Sequence, residues 1–85
     1  MIRETVSVNT PDGLHARPAA EFVRAVQLSE HRVMISKGGG AMVRADSILA
    51  ILGLGLKQGE KMIIEVVGAD EKTLLQSLKS IVQAK

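Results

Sequence analysis

The sequence contains no cysteine, and Phe22 is the one aromatic residue among 85. The lack of cysteine excludes disulfide bonds, thiolate nucleophiles and cysteine-bound metal ions. The shortage of aromatic rings removes the platform on which single-stranded nucleic acids stack their bases, and a net charge of +2 attracts a phosphate backbone only weakly. We therefore expect no nucleic-acid partner, and no residue pattern indicates a metal or an organic cofactor.

A long apolar run is missing as well. The longest one, Ile48 to Leu56, is interrupted by Gly53 and Gly55 and is much shorter than the roughly 20 residues that span a bilayer. The first residues do not contain the apolar stretch of a signal peptide. These features predict a cytoplasmic protein that does not insert into membranes.

A length of 85 residues predicts one domain, comprising residues 1–85. A chain of this size is too small to enclose a deep substrate pocket by itself. The length therefore favours a carrier, a binding module or a regulator over a self-sufficient enzyme, and we expect a monomer.

Periodic apolar residues divide the chain into strands and helices. The pattern predicts strands over residues 5–9, 32–37, 41–44 and 61–67, and helices over residues 16–27, 48–52 and 74–82, the last one capped by residues 68–70. The order β-α-β-β-α-β-α predicts an α+β fold in which helices cover one face of a mostly antiparallel sheet. His31, between Glu30 and Arg32, is interpreted as a surface turn residue, because a lone histidine offers no metal-ligand spacing.

The segment from Gly13 to Ala20 carries the most chemical information. His15 comes directly before the first helix, whose leading backbone N–H groups have no partner within the helix and carry partial positive charge. Arg17 adds a fixed charge and a fork of donors suited to phosphate. A neutral imidazole is nucleophilic near neutral pH. The residues are compatible with a phosphoryl acceptor and also with an ordinary polar histidine on the surface.

The same segment resembles the active-site signature of the histidine-containing phosphocarrier protein family, HPr, of the bacterial sugar phosphotransferase system. Residues 46–55 resemble the short serine-containing helix of that family and the glycine turn after it. Residues 68–71 match the opening of its last helix. Three separated motifs occur in the family's order, so the resemblance covers essentially the whole chain.

The resemblance implies an HPr-like open-faced β-sandwich, with a four-stranded antiparallel sheet in the order 1-4-2-3 and three helices on one face. It also implies that Enzyme I phosphorylates His15 on Nδ1, with phosphoenolpyruvate as the original donor. The phosphoryl group then passes to a sugar-specific IIA component. We expect Ala16 and Arg17 to bind the phosphoryl group. The chain would then be a carrier with a phosphohistidine intermediate.

A carrier needs an exposed surface on which its partners dock. The helix over residues 48–52 is apolar on all sides, so Ile48, Leu49 and Leu52 are the candidates for this surface, unless they all serve the core. Arg24, on the helix that follows His15, is a candidate for steering acidic partners, or else belongs to the solvated face of that helix.

Ser47 has three interpretations. It can cap the short helix, it can be a regulatory phosphorylation site for an HPr kinase/phosphorylase, or it can simply lie in the docking interface. Many family members have lysine before this serine, whereas this chain has Asp46, whose charge would repel a phosphate.

An alternative function is that of an HPr paralogue in a regulatory or nitrogen-linked phosphorelay. Loss of the active-site histidine would indicate a purely regulatory protein, and this chain retains His15.

Overall fold

The computed structural model of the protein, which describes residues 1–84, contains four strands and three helices. They are β1 (Ile2–Ser7), α1 (Ala16–Ser29), β2 (Arg32–Lys37), β3 (Val43–Arg44), α2 (Ile48–Gly53), β4 (Lys61–Val67) and α3 (Glu71–Gln83). The predicted order of elements is confirmed, and the predicted bounds of β2 and β4 are correct. No helix in this part of the chain combines the length and the hydrophobicity needed to cross a membrane.

The four strands form one antiparallel sheet in the order β1-β4-β2-β3. The central strand β4 pairs with β1 on one side, where Val6 lies opposite Met62, and with β2 on the other, where Ile35 lies opposite Ile64. Strands β1 and β2 therefore run in the same direction, and α1 makes the crossover between them. The predicted α+β architecture with strand order 1-4-2-3 is confirmed.

The core lies between the sheet and the helices. Along the strands, every second side chain faces the helices and is buried. These side chains are Val6, Val33, Ile35, Met62, Ile64 and Val66. The apolar stripe predicted for α1 is also buried, with Ala19 and Phe22 at 0% exposure. In α3 the predicted stripe is buried apart from Ile81, which is only partly covered because it borders a cavity near His15.

Strand β1 begins and ends earlier than predicted. Val8 still points inward and its backbone still bonds to Gly59 and Glu60, just before β4, but beyond Val8 the chain leaves the sheet. The N–H of Asn9 donates instead to the carbonyl of Val82 in α3, at 2.8 Å. Polar and apolar residues keep alternating up to Asn9, so their pattern could not mark where the strand ends.

His31 lies in the connection between α1 and β2, as predicted, but it is only partly exposed and makes contacts that the sequence did not indicate. Its ring is half-buried against Gly68, where an added Cβ would lie 2.5 Å from ring carbons, and its Nε2 accepts the N–H of Asp70 at 3.1 Å. The Asp70 side chain makes no capping hydrogen bond to α3. The ring of His31 thus holds the backbone N–H of the N-cap residue of α3, whereas no side-chain cap is present there.

Candidate functional site

His15 is the N-cap residue of α1. Its backbone is extended, with φ −83° and ψ −169°, and its carbonyl accepts the N–H of Ala19 at 3.0 Å, which begins the helix immediately after it. The imidazole is exposed and makes no capping hydrogen bond. The ring is therefore accessible, and capping does not occupy its nitrogens.

The first turn of α1 offers hydrogen-bond donors next to this ring. The N–H groups of Ala16 and Arg17 find no acceptor among residues 1–84. Pro18 has no N–H to contribute. Negative charge at a helix N-terminus is stabilised by about 0.3–1 kcal/mol at an exposed position. The expected phosphoryl-binding backbone of Ala16 is thus available for a ligand beside His15.

An open cavity of about 500 Å³ lies beside the imidazole. It is lined by Thr10, Pro11, His15, Arg17, Pro18, Glu21, Ile81 and Ala84. Three segments contribute to it: the loop before α1, the first turns of α1 and the end of α3. The structure therefore brings His15 and Arg17 together at one cavity. The wall from α3 is not indicated by the sequence, because no local pattern relates residues so far apart in the chain.

The loop that carries His15 is held by hydrogen bonds at several points. The buried hydroxyl of Thr10 donates to the carbonyl of Gly13 at 2.7 Å. The N–H of Leu14 donates to the carbonyl of Leu56 at 3.0 Å. Together with the bond from Asn9 to α3, these contacts fix the loop between α3 and the segment that follows α2.

Gly13 is required where this loop meets that segment. Its φ of +71° lies in the left-handed region, and a Cβ added to it would lie 2.3 Å from the carbonyl oxygen of Leu56 and 2.7 Å from Cα of Lys57. The loop can approach so closely only because glycine has no side chain.

The supporting segment is itself fixed by Glu60. The carboxylate accepts the N–H of Lys57 at 2.7 Å, and the ammonium of Lys37 lies 3.2 Å from its second oxygen. The hydrogen bond from Lys57 is the main reason that the pKa of Glu60 is lowered. Desolvation opposes this shift, and the hydrogen bond and positive charge of Lys37 add to it. The charged form of Glu60 therefore stabilises the segment against which Gly13 packs.

Arg17 is highly exposed and has one acidic neighbour. Its Nε lies 3.9 Å from Oε1 of Glu21, four residues further along α1. The sequence pattern does not single out Glu21 as a site residue, although its i,i+4 spacing from Arg17 is the signal that could have found it.

The predicted docking residues of α2 lie at the surface. Leu49 is 82% exposed, and Ile48 and Leu52 are 40% and 38% exposed, whereas Ile51 is buried against the core. Arg24 is exposed on α1. We call Ile48, Leu49 and Leu52 the α2 patch.

Ser47 is the N-cap of α2. Its Oγ accepts the N–H of Ala50 at 3.3 Å, so its expected capping role is present in the structure. Asp46 does not cap this helix, because its carboxylate instead accepts a hydrogen bond from Arg44 at 2.7 Å.

Comparison with known proteins agrees with this geometry. The family model described as "PTS HPr component phosphorylation site" matches residues 2–84. The chain belongs to the HPr family. The HPr of Streptomyces coelicolor is 39% identical over 82 residues, which make up 96% of this chain and 88% of that protein. HPr proteins are phosphocarriers of the phosphotransferase system, so the partners of this chain are components of that system.

Solved structures share the same fold. The crystal structure of HPr from Bacillus anthracis str. Ames matches with a TM-score of 0.89 at 34% identity, covering 96% of each chain. Crh from Bacillus subtilis matches with a TM-score of 0.74 at 32% identity, covering 98% of this chain and 94% of the other, and it forms a dimer with a swapped domain. The HPr fold thus occurs in a protein that forms a domain-swapped dimer.

Substitution of Gly13 by alanine tests how the His15 loop is held. We expect Gly13→Ala to lower the free energy of unfolding by about 2–4 kcal/mol, because a left-handed backbone and a contact with rigid main chain are both violated. The measurement is equilibrium unfolding in urea. Gly39→Ala is the matched control, because a Cβ there meets nothing within 4 Å, and its effect should stay within about 0.5 kcal/mol. Equal midpoints for the two variants would contradict the account of Gly13.

Proposed function

We propose that His15 accepts a phosphoryl group from phosphorylated Enzyme I and passes it to a sugar-specific IIA component. The observation that carries this proposal is the exposed imidazole at the N-cap of α1, with unpaired N–H groups and Arg17 at the same cavity. Family membership assigns the chain to the phosphotransferase system. The geometry supports His15 as the acceptor within it.

The proposed reaction replaces one N–P bond with another. The lone pair of Nδ1 on neutral His15 attacks the phosphorus, and the N–P bond to the histidine of Enzyme I breaks as the new bond forms. The donor imidazole leaves with the electron pair. Transfer to a IIA component repeats the exchange with His15 as the leaving group.

The phosphoryl oxygens bring negative charge to the cavity. The N–H groups of Ala16 and Arg17 and the Arg17 guanidinium are the donors available to meet it. Such donors act mainly by electrostatic stabilisation and positioning, which are the main contributions of a protein to phosphoryl transfer. This chain would therefore hold the group, whereas its partners supply the remainder of the catalytic apparatus.

We propose that the chain functions as one phosphocarrier domain, as a cytoplasmic monomer. The α2 patch and Arg24 form the proposed docking surface for Enzyme I and the IIA component. An exposed leucine that is 82% accessible gains from burial in a partner. The swapped dimer of Crh makes the oligomeric state worth measuring by analytical ultracentrifugation, where a sedimenting dimer would refute the monomer.

The similarity to Crh, which is described as a catabolite repression protein, also favours a second candidate, a regulatory paralogue. A paralogue in a nitrogen-linked relay is the other form of this alternative. The two candidates differ in partner preference. Titration of phosphate transfer from the Enzyme I of a sugar system and from that of a nitrogen-linked system distinguishes them, because the natural donor should saturate at a much lower concentration.

Ser47 is also a proposed regulatory site for an HPr kinase/phosphorylase. A phosphate on Ser47 would lie at the N-terminus of α2, where it is electrostatically favoured, and at the edge of the α2 patch. Asp46 opposes the phosphate, but its charge is partly offset by Arg44.

Phosphotransfer to His15 is tested with Enzyme I and phosphoenolpyruvate. We expect the chain to gain one acid-labile phosphoryl group, seen by intact-mass spectrometry at alkaline pH. His15→Ala should gain none. The control is His31→Gln, which keeps a hydrogen-bond acceptor for Asp70 and should be phosphorylated like the original chain. Uptake of the label by His15→Ala would disprove the assignment.

Docking on the α2 patch is tested with Leu49→Ser. We expect this change to weaken binding to Enzyme I about five- to ten-fold, since an exposed apolar contact is lost without any loss of core packing. Leu28→Ser is the matched control: Leu28 is 74% exposed in α1, about 20 Å along the helix from His15. Calorimetric titration measures both affinities, and equal losses would mean that the patch is not the docking site.

The Ser47 proposal predicts different rates of phosphotransfer for two substitutions. Ser47→Asp should slow phosphotransfer from Enzyme I several-fold, because it places charge beside the α2 patch. Ser47→Ala should keep the transfer rate and lose about 1 kcal/mol of folding stability with the helix cap. Ser80→Asp, at an exposed position of α3, is the control for added charge. Unchanged transfer by Ser47→Asp would rule out regulation through this charge.

A further inference from the structure

The cavity beside His15 contains a carboxylate that the proposed transfer does not use. Glu21 lines this cavity together with Arg17, and Oε1 of Glu21 lies 3.9 Å from Nε of Arg17. The Arg17 side chain is 87% exposed, and the Glu21 side chain is 57% exposed. The pair is thus loose and reached by water, and it contributes little to the stability of the fold.

A phosphoryl group on His15 would compete with Glu21 for the guanidinium. The group carries close to two negative charges and three acceptor oxygens near neutral pH. A guanidinium binds phosphate oxygens through short, charge-assisted hydrogen bonds, whereas the contact with Glu21 is at the limit of an ion pair. Arg17 is therefore expected to leave Glu21 when His15 is phosphorylated.

This exchange of partners has a consequence for the phosphorylated form. The Glu21 carboxylate is then left without its cation, in the same cavity as the new negative charge. Like charges at one cavity repel, and in an exposed cavity the repulsion is weakened by water and salt but not abolished. The unphosphorylated form has no such repulsion and keeps the contact with Arg17.

We propose that Glu21 is a positioning residue that sets how readily His15 gives up its phosphoryl group. It keeps Arg17 at the cavity when His15 is free, and it raises the free energy of the phosphorylated form. In the transfer, the N–P bond at His15 breaks as the N–P bond to the acceptor histidine forms, and Glu21 exchanges neither a proton nor electrons. The inference rests on the proposed function. It names a residue that influences the equilibrium of the proposed phosphoryl transfer.

The test is the equilibrium constant for phosphoryl exchange between Enzyme I and the chain, read from the phosphorylated fraction at a fixed ratio of phosphoenolpyruvate to pyruvate. We expect Glu21→Gln to shift this constant about three- to ten-fold toward phosphorylated His15. The constant compares the free energies of the free chain with and without the phosphoryl group. An effect on docking alone would change the rate and leave this constant unaltered.

Asp70→Asn is the matched control. It removes one carboxylate next to His31, beyond the C-terminal end of α1, and so changes the net charge by the same amount. We expect its constant to equal that of the original chain. Thermal unfolding of Glu21→Gln should match that of the original chain, because both members of the pair are exposed. Glu21→Asp, which keeps the charge, should retain most of the original value.

Salt and nuclear magnetic resonance provide readouts that a purely structural role would not change. The difference between Glu21→Gln and the original chain should shrink from 50 mM to about 1 M salt, where the Debye length falls to about 3 Å. The ¹⁵Nε signal of Arg17 should move on phosphorylation, and Glu21→Gln should shift it in the unphosphorylated chain. Equal exchange constants for Glu21→Gln, Asp70→Asn and the original chain would overturn the inference and leave the carrier function standing. No uptake of phosphate by the original chain would overturn the function and the inference with it.

Discussion

The close approach of two main-chain segments is the constraint on which the site depends. Gly13 packs against the carbonyl of Leu56, and the adjacent N–H of Leu14 donates to that same oxygen. This contact sets where the loop ends and therefore where α1 begins. His15 becomes the N-cap because the contact places it one residue before the first helical turn. The chemistry of the imidazole is thus determined by a backbone contact far away in sequence.

Much of the fold follows from local patterns. The stripe that includes Phe22 in α1 and the β-branched run of β4 specify their elements because each buries one face against a common core. The order of the strands is different, since it depends on which edges meet in space. The order 1-4-2-3 is predicted by the resemblance to the HPr family and not by the periodicity of apolar residues. The contacts of His31 could not be predicted for the same reason, because its partners lie just before α3.

The candidate site also contains some residues that the sequence identifies and others that only the structure identifies. His15 and Arg17 are adjacent in the chain, so their motif could be recognised from sequence. The wall formed by Ile81 and Ala84 could not, because α3 reaches the cavity only through tertiary packing. Glu21 is intermediate: its spacing from Arg17 is visible in the sequence, but its place in the cavity requires the structure. An open site of this kind fits the proposed phosphoryl group, which two different proteins would have to reach.

The cavity beside His15 depends on α3, which is synthesised long after His15. The N–H groups of Asn9 and Thr10 both donate to the carbonyl of Val82, and residues of α3 close one side of the cavity. A chain emerging from the ribosome presents His15 long before α3 has been synthesised. The cavity beside His15 is therefore incomplete until α3 has been synthesised and has folded, so the proposed acceptor site forms only after that step.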